Sequence, residues 1–363
     1  MNIVRNILHK ALVIFSLIFS GALLLTYLTP YISPEKFWPI AFGGLVYPYL
    51  LGINFLFVCY WIIRKKWSFL LPLIAILIGY QHLSNFAQFN FSAKPEHPKE
   101  AIKILTYNVR SFDKYEWTKD PKTPNNILKT ISESDADIIC LQEFRFTLSG
   151  LLSLKNLKQK TASNAYFYSN KRNGTAIFSK YPILHKGEIR FAKGNLCDAI
   201  YTDLLIGSKT IRVYNLHLES NRLGGKNYAF INKKEFNADE QELEEIKDIS
   251  TRLRQAFQRR ATQARIIRNH INKSPYPIII CGDFNDTAFS YTYHTIKGKL
   301  SDSFQEKGKG ISTTYTGDFP SFRIDYVLHD EHFSCLSYKR IKKEYSDHFP
   351  VFSEFKFSKP AKN

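Results

Sequence analysis

Pro277-Ile278-Ile279-Ile280-Cys281-Gly282-Asp283-Phe284-Asn285-Asp286 is the most informative stretch of the chain. Its first half is an uninterrupted apolar run of the length expected for a buried strand. Gly282 then permits a close backbone approach. In extended geometry Asp283 and Asn285, two residues apart, share a face. Asp286 reads as a turn or cap residue for the segment Ala288–Ile296.

Five further apolar runs end in the same manner. Their polar signatures are Thr106-Tyr107-Asn108, Leu141-Gln142-Glu143, Asn215-Leu216-His217, Arg323-Ile324-Asp325-Tyr326 and Ser346-Asp347-His348. A buried strand that ends in a carboxylate, amide or imidazole delivers that group to a sheet edge. Six such edges predict one acidic, histidine-containing site able to hold a divalent cation, which is the equipment for metal-assisted phosphoester hydrolysis. Asp283 beside Asn285 can orient a water and a phosphate oxygen together. Asp347 and His348 are adjacent and in a strand point to opposite faces, so Asp325 is the better partner for the His348 imidazole. Taken singly, most of these residues have ordinary alternatives. A strand-ending Asn108 is common in turns, and a lone His217 or Asp325 is usually structural.

Strand-like and helix-like runs alternate from Ala101 onward, which predicts an α/β architecture. Asn173-Gly174 reads as a turn into Thr175–Ser179, and Ile183–Arg190, Ala199–Ile206 and Thr210–His217 as successive strands. Glu240–Ile271 reads as one long helix. Leu243, Ile246, Ile249, Leu253, Phe257, Ala261, Ala264, Ile267 and Ile271 form a single buried stripe at steps of three and four. The other face is acidic early (Glu242, Glu244, Glu245) and basic later (Arg252, Arg254, Arg259, Arg260, Arg265, Arg268), in accord with the helix dipole. That face reads as solvated rather than as a nucleic-acid stripe.

The ordered set of signatures resembles the endonuclease/exonuclease/phosphatase superfamily, from about Lys103 to Phe357. Gly174-Thr175-Ala176-Ile177-Phe178-Ser179-Lys180-Tyr181-Pro182-Ile183 resembles a core segment of that group. The resemblance implies a four-layered α/β sandwich, with two mixed sheets face to face and helices outside. It implies Mg²⁺ or Mn²⁺ bound by Asn108 and Glu143, with Asp347 completing the shell. Asp283 would orient or deprotonate the attacking water, Asn285 would hold the phosphate, His217 and His348 would stabilise charge on it, and Asp325 would orient His348. Some members carry a further acid, between the positions of Glu143 and His217, that supports the first histidine. No residue here is assigned to it from sequence.

The first ninety residues are of another kind. Ala11–Leu28 is an uncharged apolar run of near-spanning length, Ile40–Ile63 is a second, and a third begins at Phe69 and fades through Gln81–Phe89. Breakers such as Gly52 and Pro48 are tolerated in membrane helices. Arg5 and Lys10 before the first run also suit a signal peptide, but no small-x-small cleavage site follows Leu28. The expected division is therefore 1–90 as a transmembrane anchor of about three helices, 91–100 (FSAKPEHPKE from Phe91) as a linker, and 101–358 as the catalytic domain. Arg5, Lys10 and Arg64-Lys65-Lys66 mark the cytoplasmic side. Three spans then place the catalytic domain outside the cytoplasm, on the periplasmic side. If the third run does not span, it lies inside.

The net charge of +18 favours polyanionic partners. Glu219–Phe236 mixes Arg222, Lys226, Lys233 and Lys234 with Tyr228, Phe230 and Phe236, a blend that can grip a nucleic-acid strand or dip into an anionic bilayer. A phosphodiester substrate is expected, nucleic acid ahead of phospholipid or a headgroup phosphate. A silent polyanion-binding scaffold is disfavoured by the intact acidic set. The five cysteines show no zinc spacing, and nothing signals an oligomeric state.

Overall fold

The computed structural model describes residues 2–90, 100–169, 174–191, 198–233, 237, 239–311, 313–317 and 321–358. The expected linker, apart from Glu100, lies outside the described residues, as do Asn173, Lys234 and Phe236.

Two six-stranded sheets form the centre. In chain order their strands are β1 (Ile102–Asn108), β2 (Ile138–Phe144), β3 (Ala165–Tyr168), β4 (Gly174–Ser179), β5 (Ile183–Glu188), β6 (Asp198–Ile206), β7 (Lys209–His217), β8 (Ile278–Asp283), β9 (Ser301–Asp302), β10 (Asp325–His329), β11 (Phe333–Arg340) and β12 (Val351–Phe357). The first sheet runs β11-β12-β1-β2-β4-β3 and the second β9-β10-β8-β7-β6-β5. Each is mixed. Its single parallel pair, β1/β2 in one and β7/β8 in the other, lies in the middle. A parallel pair needs a crossover, and a helix supplies it in both cases.

Among the helices, α1 (Asn2–Thr26), α2 (Gly43–Ile63), α3 (Leu70–Ile78) and α4 (Tyr80–Phe86) precede the sheets. The crossovers are α5 (Thr123–Glu133) and α6 (Glu240–Ile271), and α7 (Tyr291–Lys297) follows β8. Strand alternation then dictates the layers. On β1, Ile104 faces the second sheet while Leu105 packs with Ile127 and Leu128 of α5. On β8, Ile279 and Cys281 face the first sheet while Ile280 packs with Ala264 and Ile267 of α6. The result is helix, sheet, sheet, helix, the four-layered sandwich expected from the sequence.

The long helix has the expected bounds, Glu240–Ile271, with Asp239 capping Glu242 N–H at 2.8 Å. Its stripe departs from expectation at the N-terminal end. Leu243 and Ile246 are exposed. A helix of this length runs about 48 Å, whereas a nine-residue strand spans about 30 Å, so its first turns overshoot the sheet. Glu242 and Arg260, expected on the solvated face, are buried.

The N-terminal helices hold two segments long and apolar enough to cross a membrane, Asn6–Thr26 and Trp38–Ile63. Ser20 and Asn54 join them at 2.8 Å, and Asn54 also donates to the Phe19 carbonyl. The third run is broken: α3 and α4 meet at 66°. The break falls at Gly79, against which the Tyr27 ring packs so closely that a Cβ would overlap it, and the Tyr27 hydroxyl donates to the Ala75 carbonyl at 2.9 Å. A side chain inserted into the backbone ladder is a recognised cause of such a bend.

Candidate active site

The two parallel pairs end at the same edge of the sandwich. Asn108 and Glu143 close β1 and β2, and His217 and Asp283 stand at the ends of β7 and β8, in register with one another. Just beneath them Thr106, Gln142 and Asn215 join the sheets. Gln142 Nε2 donates to Asn215 Oδ1 at 2.6 Å and to Thr106 Oγ1 at 3.0 Å, and Asn215 Nδ2 donates to the carbonyls of Leu141 and Ala176. Buried polar links of this kind favour one register. In three sequence signatures an earlier member (Thr106, Gln142, Asn215) is thus in the strap, and the last member lies at the candidate site.

Asn108 Nδ2 lies 3.0 Å from Asp283 Oδ2 and 3.4 Å from Glu143 Oε1. His217 Nε2 is 3.9 Å from a carboxylate oxygen of each of Glu143 and Asp283. On the opposite side His348 Nδ1 is 2.9 Å from Asp325 Oδ2, and its Nε2 is 3.7 Å from Asp283 Oδ2. Asp283 therefore sits between the two histidines. Its Oδ1 accepts the Asn285 N–H at 2.8 Å, and Asn285 Nδ2 donates to the Leu218 carbonyl at 3.0 Å. Asp347 Oδ2 lies 3.4 Å from Arg110 Nε.

Local backbone choices aim these groups. Gly282 has φ 137°, and a Cβ there would stand 2.0 Å from the Leu216 carbonyl oxygen, so β8 can lie this close to β7 only with glycine. Glu143 and Asn285 both adopt left-handed backbone, at φ 48° and 51°. After Asn108 four consecutive residues, Arg110 to Asp113, have φ between 41° and 57°. Left-handed residues normally occur singly. This turn swings the Arg110 guanidinium back over Trp117, 4.6 Å from the ring, and toward Asp347.

Electrostatics follow from the burial. Desolvation lowers the affinity of His348 for a proton, but the carboxylates of Asp325, Asp283 and Asp347 outweigh it and lift the pKa to about 10. Burial raises that of Asp283, the neighbouring histidines oppose the rise, and Asp325 adds to it. At neutral pH the cluster holds an imidazolium between two acids.

Donor atoms of Asp283, Asp325 and His348 lie within 4.8 Å of one another. An ion among them would compete with the proton of His348, so the open oxygens of Glu143, whose side chain is one-third exposed, are the better place for a cation. Asp325 Oδ1 is buried with no hydrogen-bond partner among the described residues. A donor set this rich in oxygen suits a hard cation such as Mg²⁺ or Mn²⁺.

Glu143, Asp283, Asn285, Asp347 and His348 line one cavity of about 160 Å³. Three neighbours were not foreseen. Arg260 lines the same cavity, is 1% exposed, and donates to Asp286 Oδ2 at 3.1 Å, the Glu219 carbonyl at 2.8 Å and Asn221 Oδ1 at 2.9 Å. Asp286 is thus its counter-ion, and the cap of α7 is Ser290. Arg260 falls three residues after Phe257 and four before Ala264, on the apolar stripe. That position was the available signal. Asp198 is buried and pairs across the hairpin with His217, with its carboxylate accepting from Thr175 N–H at 3.0 Å. It occupies the chain interval in which a further acid was sought. Arg110 carries no sequence signal.

A model of the endonuclease/exonuclease/phosphatase family matches residues 105–348. The chain belongs to that family and is accordingly a hydrolase of phosphoester bonds. Residues 9–86 match a domain of unknown function (DUF8431). Among solved structures, humanized D. rerio TDP2 is 17% identical over 71% of this chain and 100% of its own, with a TM-score of 0.52. The human Nocturnin catalytic domain is 16% identical over 74% and 100%, at 0.51. The endonuclease/exonuclease/phosphatase from Bacteroides vulgatus is 15% identical over 72% and 100%, at 0.52. At these identities the likeness is one of fold. No curated protein matches the chain.

Proposed function

We propose that the chain is a membrane-anchored, divalent-cation-dependent phosphodiesterase. The observation that supports this reading is the convergence of Asn108, Glu143, His217, Asp283 and His348, of which Glu143, Asp283 and His348 line one cavity. Glu143, with Asn108 and Asp347, would hold Mg²⁺ or Mn²⁺, which offsets phosphate charge and lowers the pKa of a bound water. Asp283, whose proton affinity burial raises, takes the proton of the attacking water from its Oδ2 side. The water oxygen bonds phosphorus, the ester P–O bond breaks, and the proton leaves with the alcohol. Asn285 holds a phosphoryl oxygen. The His348 imidazolium, fixed by Asp325, faces the charge that develops there, and His217 faces it from the other side.

Residues 1–90 form the anchor, 91–100 the linker and 101–358 the catalytic domain in this account. The catalytic part docks at one end of the helices, through Glu35 to Thr262 at 2.7 Å, Gly44 to Thr287 at 3.2 Å, and the Asn85 carbonyl to Arg323 at 3.1 Å. Arg64-Lys65-Lys66 follow the far end of α2, about 30 Å away. With a basic end inside, three spans put the active site on the periplasmic face.

A nucleic-acid substrate is supported by the net charge of +18, and a D. rerio TDP2 of the same fold is described with a single-strand DNA product. Against it, the described cations of the 219–233 segment are engaged by acids: Arg222 by Glu219, Lys226 by Glu245 and Lys233 by Glu242. The full-length chain and its Asp283→Ala variant, incubated with Mg²⁺, Mn²⁺ or EDTA against plasmid DNA, RNA, sphingomyelin vesicles and a bis-ester reporter, test the reading. Cleavage that needs both metal and Asp283 is expected. Equal cleavage by the variant would sink the site.

A further inference from the structure

The cavity has a wall that neither sheet supplies. Beside Glu143, Asp283 and His348, it is lined by Leu45 of α2 and Phe257 of α6, with the Arg260 guanidinium 5.2 Å over the Phe257 ring. Leu45 belongs to Trp38–Ile63, a segment apolar and long enough to span a bilayer. Its position is fixed from both flanks. The Thr287 hydroxyl donates to the Gly44 carbonyl, the Phe42 ring stands edge-on to Phe257 at 5.4 Å, and Tyr47 stacks on Phe289 at 3.8 Å. A Cβ on Gly44 would meet Thr287 Oγ1 at 2.9 Å. The N-terminal helices are therefore part of the site.

A pocket lined by charged and apolar side chains together recognises a molecule that carries both kinds of group. About 160 Å³ is the volume of roughly five waters, enough for a phosphate and its first few carbons. Beyond Leu45 the surface of α2 continues apolar, with Val46 and Tyr49 exposed. Resting on the phosphodiesterase reading above, we infer that the substrate is an amphiphilic phosphoester taken from the bilayer. Its phosphate meets Asp283 and His348, and its first carbons lie against Leu45 and Phe257. Leu45 then determines specificity.

The test uses the full-length chain in mixed micelles with Mg²⁺. Its substrates are p-nitrophenyl phosphodiesters whose second alcohol lengthens from methyl to octyl, and a single-stranded oligonucleotide. Each methylene moved from water to an apolar wall is worth roughly a fourfold change. The specificity constant should rise by about that factor per carbon over the first two or three carbons, chiefly through KM. Leu45→Asn should flatten the rise. A flat series in the unmodified chain, with hydrolysis still dependent on Asp283, overturns the inference and spares the phosphodiesterase. Preference for the oligonucleotide over every diester does the same. If no ester is cleaved, both readings fall.

Discussion

Replacing Arg260 by methionine removes three hydrogen bonds, to Asp286, to the Glu219 carbonyl and to Asn221, and leaves the Asp286 carboxylate 6% exposed with no cation. Among the described residues, the remaining partner of that carboxylate is the Thr287 N–H at 3.0 Å. Breaking a buried pair by deleting one member costs about 3–5 kcal/mol, because the surviving charge stays desolvated. At about 2–4 °C per kcal/mol for a domain of this size, Tm should fall by roughly 10 °C. Activity should fall as well. Arg260 ties down residues 219–221, and Asn285 is held by the neighbouring Leu218 carbonyl. The assay is denaturant and thermal unfolding of the full-length chain in detergent, for Arg260→Met, Asp286→Asn and the double variant. Neutralising Asp286 in the Arg260→Met background should recover at least about 1.5 kcal/mol. A loss below about 1 kcal/mol in Arg260→Met, or no recovery in the double variant, would refute the assignment of the pair as a buried, mutually compensating one.

Other outcomes follow from the same geometry. In Asp325→Asn, His348 loses its main counter-charge. Its ring titration, near pH 10 in the unmodified chain, should move toward neutrality, and hydrolysis at pH 8 should drop by about 10²-fold or more; an unmoved NMR titration would contradict the role given to Asp325. Because the folded-state pKa of His348 lies above its ordinary 6.5, its contribution to stability is complete below about pH 6.5 and is lost as pH rises through about 10. Unfolding curves should therefore show a decline between those limits that His348→Gln lacks. Gly282→Ala should cost at least about 2 kcal/mol, since φ is 137° and the new methyl would strike the Leu216 carbonyl; a wild-type midpoint would refute the close approach of β7 and β8.

The sandwich was legible because every central strand is buried on both faces, so each writes itself as an apolar run that breaks where its end meets the site. Asn108, Glu143, His217 and Asp283 stand at those breaks. Alternation argues only against Asp347 as the partner of His348; Asp325, the carboxylate favoured from another strand and by the family resemblance, lies 2.9 Å from that ring. What could not be read depends on contacts between distant segments. Asp198 gains its place from hairpin register, and Leu45 from docking across 200 residues of chain. Arg260 was misread because an arginine on a helix is usually solvated, although its spacing from Phe257 and Ala264 put it on the stripe. Leu243 and Ile246 were misread because periodicity says which face is apolar and nothing about where the sheet beneath it stops.

The most direct measurement is the Mg²⁺ dependence of bis-ester hydrolysis by the full-length chain and by Glu143→Gln. A cation held by Glu143 predicts saturating activation by Mg²⁺, none in EDTA, and at least a tenfold higher Mg²⁺ requirement in the variant. Hydrolysis that persists undiminished in EDTA, or a variant with an unchanged Mg²⁺ profile, would contradict it.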